Sequence, residues 1–244
     1  MAIIQQSYNN TMADKIVKLT KKELLVQNIY KSELRLIRTR AKKPVLVAMV
    51  GIVGSGKSSV ARELAKHIGA VVVEGDKIRQ LLRRVGECFD NVSMIAENLA
   101  AELLKSGHNV ILDSDAAVNP KKRKRLLGMA KKSGVKVFFV RTVAEQDVMF
   151  GRMLSARYSP QSFFGGAKSF WSGKNKGVTV AIREMWRRTP HHYRWNSNNG
   201  GQWILKKFPF KIFVEIDTIN EMLWKKMVGV VAKKILRIAS APKL

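Results

Sequence analysis

The stretch Gly51-Ile-Val-Gly-Ser-Gly-Lys57-Ser58 constrains the fold of this chain more than any other. It matches the pattern G-x-x-x-x-G-K-[ST] at every fixed position. An apolar, β-branched segment over 45–50 precedes it and predicts a buried strand. Apolar residues at helical spacing over 58–67 predict a helix directly after it. The sequence therefore predicts a strand, a glycine-rich loop and a helix in succession.

A loop of this kind is suited to phosphate binding. Its glycines let successive N–H groups point at one spot, where the start of the helix adds positive potential. Lys57 can reach the β- and γ-phosphates of a nucleoside triphosphate, and the Ser58 hydroxyl can ligate Mg²⁺. We expect ATP and Mg²⁺ as cofactors, the alternative being a glycine-rich turn that binds nothing. The residues predicted to contact the nucleotide are Gly51, Gly54, Ser55, Gly56, Lys57, Ser58 and Ser59.

The net charge is the unusual number in the composition, with 45 Lys and Arg against 18 Asp and Glu, a formal +27. Such an excess favours a polyanionic partner, which could be nucleic acid, a ribosome or an anionic membrane surface. A lysine bias of the whole proteome is the alternative explanation. Charge bears on partners and association rates and does not decide the type of reaction.

Other compositional features point to the cytoplasm. The single cysteine, Cys88, excludes an internal disulfide and a zinc cluster built on cysteines. No window approaches the ~18 uncharged apolar residues of a membrane span. Residues 1–12 are polar and lack the apolar core of a secretory signal. We therefore predict a cytoplasmic protein without a membrane span.

Strands and helices alternate along the chain, which predicts right-handed βαβ units and a parallel sheet of an α/β protein. The predicted strands cover 45–50, 70–73, 109–112, 135–140 and 211–216. The predicted helices cover 58–67, a segment from 76, 91–106, 121–132, 144–157, 178–188 and 220–237.

The same pattern divides the chain into three parts. Residues 1–43 form a basic extension, in which one or two amphipathic helices over 14–38 either pack on the domain or form a nucleic-acid arm. Residues 44–238 form the main domain, and 239–244 a tail. Within the main domain, about 144–203 reads as a lid with an insertion. Its long loop at 158–176 shows no hydrophobic periodicity, and such loops are usually functional or disordered.

Asp76 and Arg79 follow the second predicted strand, at the sheet edge that also carries the phosphate loop. A carboxylate there could accept the proton of an attacking hydroxyl, and an arginine one turn later shares its helix face. Alternatively, Asp76 only caps a helix and Arg79 is a surface charge.

Further candidates lie downstream. Asp113 and Asp115 end the third predicted strand, where an acidic residue can hold Mg²⁺ or orient the acceptor, and spacing does not decide between them. Arg152 and Arg157 stand near a helix end, where an arginine could neutralise charge in the transition state. A solvated basic helix end is the alternative. His191 and His192 point apart on a helix, which favours phosphate or surface contact over a metal site.

Taken together, these motifs resemble the small P-loop kinases that include phage-type polynucleotide 5′-kinase and zeta-toxin-like kinases. The resemblance spans about 44–238 and implies a P-loop kinase-type five-stranded parallel sheet flanked by helices. It also implies residue roles. Lys57 and Ser58 would hold ATP phosphates and Mg²⁺, with Asp113 as a further metal ligand. Asp76 would activate the acceptor hydroxyl, and Arg79 would contact the acceptor or its phosphate. Asp115 (or Asp113) would support the acceptor, and Arg157 (or Arg152) would be the lid arginine.

The acceptor stays open at this point. The third-strand exit reads Asp115-Ala-Ala-Val-Asn-Pro, which keeps the aspartate and Asn-Pro of the polynucleotide kinases and loses the polar pair between them. The first hypothesis is transfer to a 5′-hydroxyl of RNA or DNA, with aromatic residues available to stack bases. The second is a small acceptor such as a nucleoside, nucleotide sugar or antibiotic. The third is a nucleotide-binding regulatory or RNA-binding protein that transfers nothing. The aromatic candidates are Phe163, Phe164, Phe170, Trp171, Trp186, Tyr193 and Trp195.

Overall fold

A computed structural model of the chain describes residues 18–36, 40–115, 119–157 and 176–241. Helices alternate with the strands of a parallel sheet. The helices are α1 (Lys21–Glu33), α2 (Lys57–Ile68), α3 (Gly75–Arg84), α4 (Val92–Lys105), α5 (Pro120–Lys132), α6 (Gln146–Ser155), α7 (Lys176–His192) and α8 (Glu221–Ser240). The strands are β1 (Val45–Val50), β2 (Ala70–Glu74), β3 (Asn109–Asp113), β4 (Lys136–Val143), β5 (Tyr193–Asn196), β6 (Gln202–Leu205) and β7 (Val214–Asp217).

The main sheet is parallel and has five strands in the order β2-β3-β1-β4-β7. The central strand β1 is buried along its whole length, as its run of apolar residues predicts for a strand covered on both faces. Its register pairs Ala48 with Leu112 of β3 and with Phe139 of β4. The carboxyl ends of β1, β2 and β3 therefore meet at one edge, which is where the phosphate loop begins.

Two apolar layers cover the sheet. Helices α3, α4 and α5 pack on one face together with Val26 and Tyr30 of α1, and α2 and α8 pack on the other. Tyr30 accepts a hydrogen bond from the backbone N–H of Glu74, at 2.7 Å. Helix α1 thus lies against the flank of the sheet, with Val26 and Tyr30 buried and with Leu24 and Leu25 about half exposed.

The lid region contains a hairpin that its sequence did not predict. Helix α7 extends to His192 with Pro190 inside it, and β5 and β6 then form an antiparallel pair. Strand β4 runs three residues past its predicted end, so that α6 begins at Gln146 rather than at 144. The last strand begins at Val214 instead of 211, and α8 includes the first two residues of the predicted tail.

Two sequence-based expectations concern other parts of the chain. Within the described residues, no helix combines the length and apolar character needed to cross a bilayer. The loop at 158–176 lies almost entirely outside the described residues, as do Phe163, Phe164, Phe170 and Trp171.

Candidate active site

The phosphate loop joins β1 to α2 in a conformation that depends on glycine. Gly54 and Gly56 have φ angles of +83° and +82°, values that a side chain strongly disfavours. At Gly51 a Cβ would lie 2.6 Å from the hydroxyls of Ser55 and Thr142. The loop can therefore curl with its amides inward because these positions carry no side chain.

Two predicted loop residues are engaged inside the loop itself. The Lys57 ammonium donates a hydrogen bond to the carbonyl of Ile52 at 2.9 Å. Ser55 is fully buried, and its hydroxyl donates to the same carbonyl and pairs with the Thr142 hydroxyl, each at 2.8 Å. The Ser55 side chain thus holds the loop to β4, which leaves only its backbone for a ligand. Ser59 is exposed on the first turn of α2.

Asp113 and Ser58 face each other across the loop. Both residues line the same cleft, Asp113 at the end of β3, and the Ser58 hydroxyl favours the ionised form of the Asp113 carboxyl group. Burial raises the pKa of Asp113, and Lys57 and Ser58 only partly offset this. A carboxylate and a hydroxyl are ligand types that suit Mg²⁺, which keeps several waters and binds few protein groups. In the described parts of the chain, no group of three or more His, Cys, Asp or Glu is arranged to hold a metal ion.

Asp76 and Arg79 form an ion pair on α3 beside the loop. An Arg79 guanidinium nitrogen donates to the Asp76 carboxylate at 2.8 Å, and the Asp76 side chain remains 55% exposed. Burial lowers the pKa of Arg79, although Asp76 counteracts it. Both residues line a cleft of about 250 Å³ that Lys57 and Ser58 also line. We call it the phosphate cleft.

Asp115 and His192 form a buried pair. The His192 Nε2 and an Asp115 carboxylate oxygen are 2.8 Å apart, with side-chain exposures of 1% and 8%. The backbone N–H of Gly51 approaches the other carboxylate oxygen at 3.5 Å. Burial opposes ionisation of Asp115, but His192, Lys57 and Arg188 together hold its pKa below the usual value. The prediction of a surface or phosphate contact is therefore wrong for His192, whereas His191 is exposed.

Neither of the two arginines predicted for the lid lines the phosphate cleft. Arg152 on α6 donates to the Gly54 carbonyl at 3.0 Å and to the Thr218 hydroxyl at 2.9 Å, and it also donates to the Thr218 carbonyl. It lines an open pocket with Gly56 and Ser59 rather than with Asp76. Arg157 is exposed two residues beyond the end of α6.

A second cavity, of about 270 Å³, adjoins the phosphate cleft and shares Arg79, Ser114, Asp115 and Arg188 with it. We call it the acceptor cavity. Four residues with basic side chains line it, together with His191; they are Arg79, Lys122, Arg187 and Arg188. Burial and the neighbouring charges of Arg79, Arg125 and Arg188 lower the pKa of Lys122. The cavity therefore concentrates positive charge beside Asp76.

Sequence reasoning did not single out Lys122 or Arg188, and it predicted only a surface or phosphate contact for His192. Lys122 is one of several basic residues on α5, and Arg188 is one of a basic pair on α7. No local pattern separates the residue that faces the cavity from its neighbours. Only the position of α7 above the carboxyl ends of the strands brings them together.

Comparisons with known proteins concern the fold. A family model described as an AAA domain matches residues 46–162. No curated protein sequence matches this chain. The structure is similar to that of a proposed kinase from Chloroflexus aurantiacus J-10-fl, with a TM-score of 0.55 and 18% identity, covering 79% of this chain and 98% of that one. It is also similar to APE1195, with a TM-score of 0.55 and 15% identity, covering 83% of this chain and all of that one. The order of the strands, the phosphate loop and the similarity to these two structures all indicate the same fold. The chain therefore has the P-loop kinase fold.

Proposed function

We propose that this protein is a cytoplasmic kinase that transfers the γ-phosphoryl group of ATP to a hydroxyl. One observation carries the proposal: Asp76 lines the same cleft as Lys57 and Ser58 of the phosphate loop. A half-exposed carboxylate beside the site of a triphosphate is positioned to act on an incoming alcohol. A nucleotide-holding module has no need of such a group.

The proposed step uses residues already placed in the cleft. Asp76 accepts the proton of the acceptor hydroxyl while the oxygen of that hydroxyl forms a bond to the γ-phosphorus. The bond from that phosphorus to the β–γ bridging oxygen breaks, and ADP leaves. Lys57 exchanges the Ile52 carbonyl for phosphate oxygens, and Arg79 both orients Asp76 and adds positive charge. Fixed positive charge in such a site stabilises the transition state.

Ser58 and Asp113 are the residues that would hold Mg²⁺. Bound there, the metal would neutralise phosphate charge. Asp113 is ready for this because ionisation, which burial opposes, becomes favourable once a cation lies beside it.

We assign the base of the nucleotide to a further pocket that adjoins the phosphate loop. An open pocket of about 520 Å³ is lined by Gly56, Ser59, Arg152 and Ile219. Arg152 is fixed there by its bonds to Gly54 and Thr218. We therefore assign Arg152 to the nucleotide, and Arg157 remains the candidate for a lid arginine that reaches the phosphates.

For the acceptor, we propose the 5′-hydroxyl of RNA or DNA. The acceptor cavity supports this because its basic side chains adjoin Asp76 and suit an acceptor that carries phosphate. A small acceptor is the second candidate, favoured by the limited volume of this cavity, about 270 Å³.

Labelled ATP tests both candidates. The protein is incubated with γ-labelled ATP and Mg²⁺, and with either 5′-hydroxyl oligonucleotides or a metabolite pool. We expect label in the oligonucleotides; label that enters only small molecules would support the second candidate.

The Asp76→Asn variant tests the mechanism. We expect a loss of transfer of about 10²–10⁴-fold, because a general base contributes about that much. Affinity for a non-hydrolysable ATP analogue should be unchanged. Asp90→Asn, outside the cleft, is the matched control. Full transfer by Asp76→Asn would show that Asp76 is not the general base. If the wild type transferred phosphate to no acceptor, a nucleotide-binding regulator would be favoured instead.

A further inference from the structure

A third cavity, of about 530 Å³, lies beneath the phosphate loop; it shares only Ile52 with the phosphate cleft and no lining residue with the acceptor cavity. We call it the hairpin cavity. Its walls come from α6, α7 and the β5–β6 hairpin. Met185 and Thr189 of α7 line it, whereas Arg187 and Arg188 line the acceptor cavity. Helix α7 therefore separates these two cavities, and Ile219 is the single lining residue that the hairpin cavity shares with the pocket assigned to the nucleotide base.

The floor of the hairpin cavity is apolar and its wall is aromatic. Ile52, Met149 and Met185 are each at most 3% exposed. On the hairpin, Trp195 and Trp203 meet edge to face with ring centroids 5.4 Å apart. The volume falls within the range of about 300–1,000 Å³ typical of small-molecule sites. Apolar floors with aromatic walls favour planar rings.

The aromatic wall is held in place by local geometry. Gly201, at φ +83°, lies so close to the Trp195 ring that a Cβ there would overlap it. The indole of Trp195 can rest on the hairpin backbone only because position 201 is glycine. The wall is therefore a built feature rather than a loosely placed side chain.

The charges around the hairpin cavity are opposite to those of the chain as a whole. The chain carries a formal +27, yet no lysine or arginine is among the described residues that line this cavity. The charged lining residues are Glu145 and Asp217, and Gln146 and Gln202 add neutral hydrogen-bonding groups. Carboxylates repel anions, and aromatic faces attract cations. A phosphorylated or carboxylated ligand is thus disfavoured.

We propose that the hairpin cavity binds a planar aromatic small molecule that carries no negative charge. The ligand would stack on the ring of Trp203 and meet the ring of Trp195 edge to face, over the floor formed by Met149 and Met185. A positive charge on its ring would lie toward Glu145 and Asp217. This site is independent of the proposed kinase reaction.

Three probes of one shape and different charge test the charge preference. They are N-methylquinolinium, quinoline and quinoline-2-carboxylate, and their affinities for the full chain are measured by calorimetry at neutral pH. A saturating non-hydrolysable ATP analogue with Mg²⁺ blocks the nucleotide site. We expect the cation to bind most tightly, the neutral ring next, and the anion at least tenfold more weakly than the cation.

Two variants locate the binding. Glu145→Gln should weaken N-methylquinolinium about threefold and leave quinoline unchanged, as expected for one exposed charge. Trp203→Leu should weaken both about tenfold through lost stacking. Glu102→Gln, on α4 and paired with Lys31, is the control for charge. Unchanged affinity for the ATP analogue and an unchanged circular dichroism spectrum would show that each variant is folded.

Several results would overturn the proposal. They are equal affinity for the cation and the anion, probe binding that appears only when the ATP analogue is omitted, or no binding at millimolar concentration. Unchanged probe affinity in folded Glu145→Gln and Trp203→Leu would do the same.

Discussion

Asp113 shows how a single residue can oppose the stability of the unliganded protein. Its carboxylate is buried at the end of β3, and burial raises its pKa above that of an exposed aspartate. A raised pKa means that the folded state binds a proton more tightly than the unfolded state does. Above the folded pKa, ionised Asp113 therefore costs stability, and below the ordinary value the cost is absent.

We predict that Asp113→Asn stabilises the unliganded protein and weakens nucleotide binding. The amide is neutral, so the cost of burying a charge disappears while the Ser58 contact can persist. Thermal unfolding should show a higher Tm for the variant at pH 8 and equal Tm values near pH 3, where both side chains are neutral. Mg²⁺-dependent affinity for an ATP analogue should fall. A variant that loses stability at pH 8 would contradict this assignment.

The pKa shift of Asp115 has the opposite sign to that of Asp113. Although burial alone would raise its pKa, His192, Lys57 and Arg188 hold the value below that of an exposed aspartate. Its stabilising effect is therefore complete above the ordinary pKa of about 3.9 and is lost as the pH falls through the lower folded value. The Asp115–His192 pair therefore connects α7 to Gly51 at the start of the phosphate loop.

Breaking the pair should be costly. Removing one partner of a buried hydrogen bond to a carboxylate leaves the other partner unsatisfied and costs about 1–3 kcal/mol or more, and we expect His192→Gln to lie at the low end because Gly51, Lys57 and Arg188 remain near Asp115. The double variant with Asp115→Asn should lose less than the sum of the two single variants. In urea unfolding, the difference between wild type and Asp115→Asn should shrink below about pH 3.9. Additive losses and a pH-independent difference would show that the two side chains do not interact.

At the scale of elements, the hairpin depends on a buried arginine on the sheet. Arg141 of β4 donates to the carbonyls of His192 and Lys206 and to the Glu215 carboxylate, each at 3.0 Å. Its guanidinium also lies 4.6 Å from the Phe208 ring. These contacts tie both ends of the β5–β6 segment to the core, which explains how a hairpin of four-residue strands stays ordered.

Neighbouring glycines offer a matched test of the hairpin. Gly200 and Gly201 have φ angles of +84° and +83°, but only Gly201 faces the Trp195 ring. Either change to alanine should cost about 1–2 kcal/mol of backbone strain. Gly201→Ala should also displace Trp195, seen as a shift in tryptophan fluorescence and in the indole NMR signals. Identical spectra and stabilities for the two variants would show that the ring does not rest on position 201.

The elements also show what a sequence can and cannot predict. The phosphate loop and β1 were predictable because fixed spacing and a fully apolar strand leave few alternatives. The position of Asp76 beside the loop followed from the rule that parallel strands end at one edge. The β5–β6 hairpin was missed, although Gly200 and Gly201 form its turn, because Arg141, which is distant in sequence, holds both of its ends to the sheet. His192 was misread for the same reason: its partner Asp115 is far along the chain.

At the scale of the whole molecule, the question is whether the +27 charge forms a track for nucleic acid or reflects composition alone. Near Asp76, Lys122 and Arg188 line the acceptor cavity together, and the pKa of Lys122 is lowered by burial and by like charges. Cations gathered in this way are stabilised by a bound anion. Scattered surface lysines, such as exposed Lys124 on the same helix, gain much less.

Salt dependence distinguishes these explanations. Each phosphate that a protein neutralises on single-stranded nucleic acid contributes about 0.7 to the slope of log K against log[salt]. We predict that Lys122→Gln lowers the slope for a 5′-hydroxyl oligonucleotide by about that amount and weakens binding at every salt concentration. Lys124→Gln, with the same change in net charge, should leave the slope nearly unchanged. Binding is measured by fluorescence anisotropy between 50 and 300 mM salt. Equal effects of the two variants would mean that net charge alone drives binding, and the acceptor cavity would then have no special affinity for the polynucleotide.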